Sequence, residues 1–371
     1  MDGLLEITAA VSRTPGEPFR IESLTLEPPR AEEVLVRIVA AGMCHTDLAV
    51  RDAPHMPHPT ILGHEGAGIV HAVGAEVKKL KPGDHVVLTF MFCGRCGACV
   101  RGEPSYCEKI RQLCFGGARE DGSVSARGTD GPVHDHFFGQ SSFATVALAS
   151  ERNTIKVPYD VPLELLGPLG CGLPTGAGSV INALKVGVGR SIAVFGAGAV
   201  GIAAIMAART VGATVIVAVD LVESRLQLAR ELGATHAVDG RGPDLVAKIM
   251  ATTGGRGMDY SLDATGTDKA VGLAMQVLAS RGTCGFVGGA PPRSTASVEL
   301  GWLLSGGRSV RGILEGDAIP DQFIPALIEL WRQGRFPLDR LVKTYELSEI
   351  NQAAHDSESG KVIKPVLRMP A

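Results

Sequence analysis

Residues 191–208, SIAVFGAGAVGIAAIMAA, run eighteen positions without a charge, the length at which a membrane-spanning helix becomes arguable. The glycines exclude that reading. Residues 191–195 have the pattern of a short buried strand, Gly196-Ala197-Gly198-Ala199-Val200-Gly201 is G-x-G-x-x-G, and alanine-rich residues 202–211 suit a helix packed on a sheet. A second apolar run, 214–219, ends in Asp220, nineteen residues beyond the last glycine. Strand, glycine turn, helix, strand and terminal acid together predict a βαβ unit that binds a dinucleotide. Glycine lets the backbone approach a pyrophosphate, whose charge then meets the positive end of the helix. A carboxylate at Asp220 accepts hydrogen bonds from a ribose 2′-hydroxyl and repels a 2′-phosphate, so NAD is predicted over NADP. The competing reading is a glycine-rich turn in a purely structural βαβ unit.

Strands predicted at 260–263 and 283–287 alternate with helices at 224–232, 244–252 and 269–278, which extends the unit into a doubly wound parallel sheet over residues 175–315. Residues 1–174 differ: β-rich segments at 33–40, 68–73 and 85–89 are separated by turns such as Lys81-Pro82-Gly83-Asp84. Residues 316–371 carry a predicted helix at 323–333 and strand at 361–367, and are expected to return to the first domain. The fold class is therefore α/β, a β-rich domain plus a parallel-sheet domain, in a 371-residue chain. A net charge of -3 without an extended basic stripe excludes a nucleic-acid partner. The N-terminal residues lack a basic segment followed by an apolar one, which predicts a cytoplasmic protein with no membrane partner.

Four of the eight cysteines, Cys93, Cys96, Cys99 and Cys107, lie in CGRCGACVRGEPSYC. Four thiolates in one loop complete a tetrahedral Zn2+ shell, the mark of a structural site. Two disulfides would require an oxidising compartment, and a nucleic-acid-binding zinc module, suggested by Arg95, Arg101, Lys109 and Arg111, finds no support in the charge balance. Elsewhere, Cys44 in GMCHTD, His64 in GHE and Cys171 in GCG offer two thiolates and an imidazole. A Cys2His set keeps a fourth position open for water or substrate, the catalytic arrangement. From spacing alone, buried structural cysteines and a core histidine account for these residues equally well.

The CHTD and GHE segments, the C-x2-C-x2-C-x7-C lobe, VFGAGAVG and the closing SGKVIKPVLRM together resemble the zinc-dependent medium-chain alcohol dehydrogenases over essentially the whole chain. Within them, FGGARED, HDHFFGQSSFA and LELLGPLGCGLPTGAG look most like the bacterial aryl-alcohol and geraniol dehydrogenases, whose substrates include benzyl alcohol. The resemblance implies a GroES-like catalytic domain, a Rossmann domain, and NAD with two Zn2+ per chain. It makes Cys44, His64 and Cys171 the catalytic zinc ligands and the cysteine quartet the structural ones, with Asp47 and Glu65 behind the first set. Thr46 is implied to hydrogen-bond the substrate oxygen, while zinc's Lewis acidity helps the alcohol lose its proton and the carbinol hydride passes to NAD, giving an aldehyde and NADH. Cofactor contacts are implied at His45, Thr175, Gly196, Gly198, Val200, Gly201, Asp220, Arg225 and Lys364, with Lys364 near the phosphates and Thr175 and Val200 at the nicotinamide. A histidine at position 45 can lose its charge near neutral pH, so cofactor affinity is expected to weaken as pH rises. Phe90, Phe137 and Phe138 are implied to line a pocket for a flat apolar alcohol.

One departure stands out. Five residues beyond Cys44, where liver-type members carry a histidine that relays the alcohol proton to solvent, this chain has Ala49. Proton release is then expected through Thr46, the ribose hydroxyls and water. The competing functions are an S-hydroxymethylglutathione (formaldehyde) dehydrogenase and a non-catalytic NAD- and zinc-binding homologue; a zinc-free quinone reductase is excluded by the ligands. Residues 301–312 resemble the segment through which family members join, and a homodimer or homotetramer is expected.

Overall fold

The structure, a computed structural model, describes residues 3–289 and 293–370. Two compact units divide the chain. The first comprises Met1–Cys171, Ile319–Pro325 and Asp339–Ala371, the second Gly172–Ala318 and Ala326–Leu338.

The first unit is built on two mostly antiparallel sheets. Its central strand, Glu33–Gly42, reads EVLVRIVAAG and is buried almost throughout, because it pairs with Glu65–Val73 on one side and with Val146–Ser150 and Lys364–Arg368 on the other. The last of these carries the C-terminus into the first unit's sheet, with Val366 opposite Gly42. A seven-residue helix, His45–Arg51, follows the central strand directly.

The second unit holds six parallel strands in the spatial order His236–Asp239, Val215–Asp220, Ser191–Phe195, Met258–Asp263, Leu278–Phe286, Ser309–Gly312. Chain order 3-2-1-4-5-6 is that of a doubly wound sheet, with its crevice where the order reverses, at the first strand. Ser191–Phe195 is apolar because both faces of a parallel sheet are covered. Helix Ala199–Thr210 is buried from Gly201 to Ala208, which explains its lack of charge. Among the described residues no helix is long and apolar enough to cross a membrane.

Three expectations need adjustment. Strand Leu278–Phe286 begins five residues before the predicted 283, and its first part lies where the register to Met258–Asp263 is irregular. His236–Asp239 escaped the pattern because it is a half-exposed edge strand with no apolar run. The expected third segment, 316–371, is split: residues 326–338 belong to the second unit, where Thr210 Oγ1 donates to the Arg335 carbonyl at 3.0 Å and Arg335 donates to the Thr210 carbonyl at 3.1 Å.

Candidate functional site

The cysteine quartet converges as its spacing implies. Sγ of Cys96 lies 3.5 Å from that of Cys99 and 4.0 Å from that of Cys107, and Cys93 lies 4.0 Å from Cys99. Sulfurs at the corners of a zinc tetrahedron are about 3.8 Å apart for Zn–S bonds of about 2.3 Å, and disulfide sulfurs would be far closer. None of the eight cysteines is in a disulfide. Backbone amides of Cys93 and Cys96 point at the sulfurs of Cys107 and Cys93 at 3.3 and 3.4 Å. Hydrogen bonds from the Cys99 and Glu108 amides bring the Cys96 thiol down to about 6.

A second group assembles from distant parts of the first unit. Donor atoms of Cys44, His64, Glu65 and Cys171 all lie within 4.8 Å of one another. Cys44 caps helix His45–Arg51; its amide donates to Asp47 Oδ2 at 2.8 Å. The other oxygen of Asp47 accepts from the Gly63 amide at 3.0 Å and from His64 Nδ1 at 2.8 Å, so one buried carboxylate ties the helix to the Gly63-His64 segment. With Nδ1 so engaged, His64 Nε2 is left buried with no hydrogen-bond partner. An orphaned ring nitrogen beside two sulfurs is the donor set a zinc ion takes, with the carboxylate fixing tautomer and ring orientation. Burial works against charging His64, but Asp47 outweighs it and holds the imidazole pKa well above its ordinary value. The hydrogen bond from Cys171, with His64 and Lys364 behind it, overcomes burial to hold the Cys44 thiol well below its own. Thr46 Oγ1 is 3.8 Å from the Cys44 sulfur.

Lys364 requires a correction. The residue is only 2% exposed and its ammonium is not offered to a phosphate: it contacts both oxygens of Glu65 at 2.9 and 3.0 Å and the Met43 carbonyl at 3.2 Å. Burial alone would lower its pKa, and Glu65 reverses this and raises it. Strand Lys364–Arg368 places the lysine there by pairing with Glu33–Gly42, a proximity that a sequence separation of 299 conceals.

The phenylalanines pack on the same imidazole. Phe138 stacks on His64 with centroids 4.4 Å apart, and Phe137 meets its edge at 5.4 Å. Phe90 is buried in the same core and packs beside Phe92. The Phe pair sits in a loop where His136, Phe138 and Ser141 all have positive φ, held by Asn153, which donates to the carbonyls of Phe138 and Gly139. Gln140, which the sequence did not single out, donates to the His64 and Thr89 carbonyls and accepts from the Gly66 amide. A lone buried glutamine carries no periodic signal.

In the second unit the glycine turn has the form a dinucleotide needs. Gly196 has φ +90°, and a Cβ on Gly201 would lie 1.7 Å from the Gly196 carbonyl. A Cβ on Gly198 would meet no protein atom, which leaves that side of the turn open to a ligand. Asp220 accepts from the Ala197 amide at 2.6 Å and the Val222 amide at 2.9 Å, locking the turn to the end of the second strand. Arg225 is half-buried with its Nε unpartnered, and Val200 lies in the first turn of helix Ala199–Thr210. Thr175 is buried in helix Gly172–Gly178, and His45 is exposed at the start of its own helix.

Comparison with known proteins gives two family matches, an alcohol dehydrogenase GroES-like domain over residues 30–159 and a zinc-binding dehydrogenase domain over 199–332. A geraniol dehydrogenase of Castellaniella defragrans is 49% identical over 97% of this chain and 96% of its own. The chain belongs to the zinc-binding alcohol dehydrogenases. This zinc-dependent alcohol dehydrogenase also superimposes on an alcohol dehydrogenase zinc-binding domain protein from Burkholderia ambifaria, 55% identical, with a TM-score of 0.98 over 100% of both chains. The benzyl alcohol dehydrogenase of Acinetobacter calcoaceticus is 47% identical, with a TM-score of 0.96 over 99% of this chain and 100% of that one.

Proposed function

We propose that this dehydrogenase oxidises primary aromatic or allylic alcohols to aldehydes with NAD, reversibly, using two Zn2+ per chain. The observation that carries the reading is the His64 imidazole: one nitrogen fixed by Asp47, the other unpartnered beside Cys44 and Cys171, and one ring face covered by Phe138. Cys44, His64 and Cys171 would hold the catalytic zinc, and Cys93, Cys96, Cys99 and Cys107 the structural one. Bound there, zinc supplies Lewis acidity that lowers the pKa of an alcohol, and NAD supplies the hydride acceptor.

The chain's own residues do the rest. Asp47 keeps His64 in the tautomer that presents Nε2. Lys364 contacts both oxygens of Glu65, so that carboxylate would compete less with a substrate oxygen for a metal held by Cys44, His64 and Cys171. Thr46 takes the alcohol proton, and with Ala49 in place of a relay histidine the proton leaves through the ribose hydroxyls and water. Phe137 and Phe138 give a flat apolar wall beside the metal, and the benzyl alcohol and geraniol activities of the two relatives fit such a wall. Asp220 at the end of Val215–Asp220 favours a free 2′-hydroxyl, hence NAD. His45, Thr175, Val200 and Arg225 complete the cofactor contacts. A cytoplasmic homodimer or homotetramer fits the exposed strand Ser309–Gly312 and the exposed Leu300 and Leu304 of helix Leu300–Gly306.

The test is NADH formation from benzyl alcohol, cinnamyl alcohol, geraniol, ethanol and S-hydroxymethylglutathione, with NAD and NADP compared and zinc counted per chain. Preference for aromatic and allylic alcohols with NAD is expected. Activity confined to the glutathione adduct would replace the substrate assignment, and two zincs without turnover would remove it.

A further inference from the structure

Three consecutive residues of the second unit, Glu315, Gly316 and Asp317, hold left-handed φ of 49°, 66° and 50°, a conformation that side chains of L-residues rarely adopt. Their surroundings over-determine it. The Asp317 amide donates to the Leu314 carbonyl at 3.0 Å, and Asn182 Nδ2 donates to the Gly316 carbonyl at 3.2 Å. Arg311 pairs with Asp317 while donating to the Ala183 carbonyl at 2.9 Å. A Cβ on Gly316 would fall 2.3 Å from the Pro174 carbonyl oxygen, so the turn is pressed onto helix Gly172–Gly178 and onto the π-helical turn Ser179–Ala183 that follows it. Backbone strain and π-turns both gather at functional sites.

What this turn delivers is a carboxylate. Glu315 is 8% exposed, and its Oε2 accepts a hydrogen bond from Thr175 Oγ1 at 3.3 Å. No step of the dehydrogenase reaction derived above uses that group. Thr175 is the residue assigned to the nicotinamide, and this inference rests on that reading. Nicotinamide changes charge in the reaction: the oxidised ring is a pyridinium cation and the reduced ring is neutral.

The geometry points to Glu315 as a positioning residue that sets the cofactor's redox preference: its buried carboxylate, aimed at Thr175 by the strained turn, favours binding of NAD over NADH. A charge in a low-dielectric site distinguishes a cation from a neutral ring, whereas packing does not. Weaker retention of NADH would favour product release in the direction of alcohol oxidation.

The experiment measures NADH affinity of the zinc-loaded enzyme by fluorescence and NAD affinity by displacement, in wild type, Glu315→Gln and Glu315→Asp. Glu315→Gln keeps shape and removes charge, so NAD affinity is expected to fall about tenfold, as loss of one interior charge pair implies, with NADH changing less than about twofold. Glu315→Asp keeps the charge and is expected to restore most of the NAD affinity. Equal loss for both nucleotides, or an unchanged ratio, overturns the inference and reduces Glu315 to a structural role. A wild type that binds NADPH but neither NAD nor NADH overturns the NAD reading instead.

Discussion

The two residue groups of the first unit that could hold a metal ion offer the same chemistry in opposite ways. The quartet draws all its ligands from fifteen consecutive residues and is closed, four sulfurs with amides pointing at them. The other group gathers Cys44, His64 and Cys171 across 128 residues, from a helix cap, a loop and the end of the first unit, with the Glu65 carboxylate beside them paired to Lys364. A local loop can fold around a metal by itself, so its ligands serve stability. A group collected from remote segments exists only once the domain has formed, and it can therefore leave a face open for chemistry.

That contrast can be broken by removing one ligand from each side. Cys171→Ser is expected to lower kcat by about a thousandfold or more, since several kcal/mol of Lewis-acid assistance are lost at about 1.4 kcal/mol per decade. One zinc should remain and the thermal midpoint should change little. Cys99→Ser is expected to lose a zinc too, but with a fall in thermal midpoint and folding yield. Equal stability losses in the two variants would mean the open group is structural as well.

Asp47→Asn tests the support of the open group. It should cost 10–100-fold, by order of magnitude, in zinc affinity or activity, the usual range for an outer-shell partner of a ligating histidine; zinc retention against a chelator measures it. Lys364→Met probes the neighbouring ion pair. Removing one partner of this buried ion pair costs about 3–5 kcal/mol, read as a drop in thermal midpoint, and cobalt-substituted protein should show an altered visible spectrum, since the carboxylate lies beside Cys44, His64 and Cys171. The smallest effect is expected from Ala49→His. A new base with an ordinary pKa near ~6.5 would make alcohol oxidation rise more steeply between about pH 6 and pH 8, and an identical profile would mean proton release is not limiting.

Much of the fold was legible because it is written in short-range patterns. The apolar run 191–195, the glycines at 196, 198 and 201 and the acid at 220 lie within thirty residues and predict strand, turn, helix and strand almost as found. Edge strands were not, because His236–Asp239 buries little and has no alternation to read. At the site, Asp47 and Glu65 were found through their neighbours Cys44 and His64. Lys364 was misjudged as a phosphate contact, and Gln140 and Glu315 went unnoticed, since each is a single polar residue whose meaning lies in what surrounds it.

By itself the sequence determined the groups available: a cysteine quartet at metal-ligand spacing, a G-x-G-x-x-G turn, and an acid nineteen residues beyond it. Ligand spacing and backbone freedom are local properties, and local properties survive in one dimension. Tertiary structure alone decided which groups are buried together. It set Nε2 of His64 free by giving Nδ1 to Asp47, turned Lys364 inward onto Glu65, and bent Glu315 onto Thr175. These are pairings of charge and hydrogen-bonding capacity under burial, and burial is a property of the folded chain, not of any segment of it.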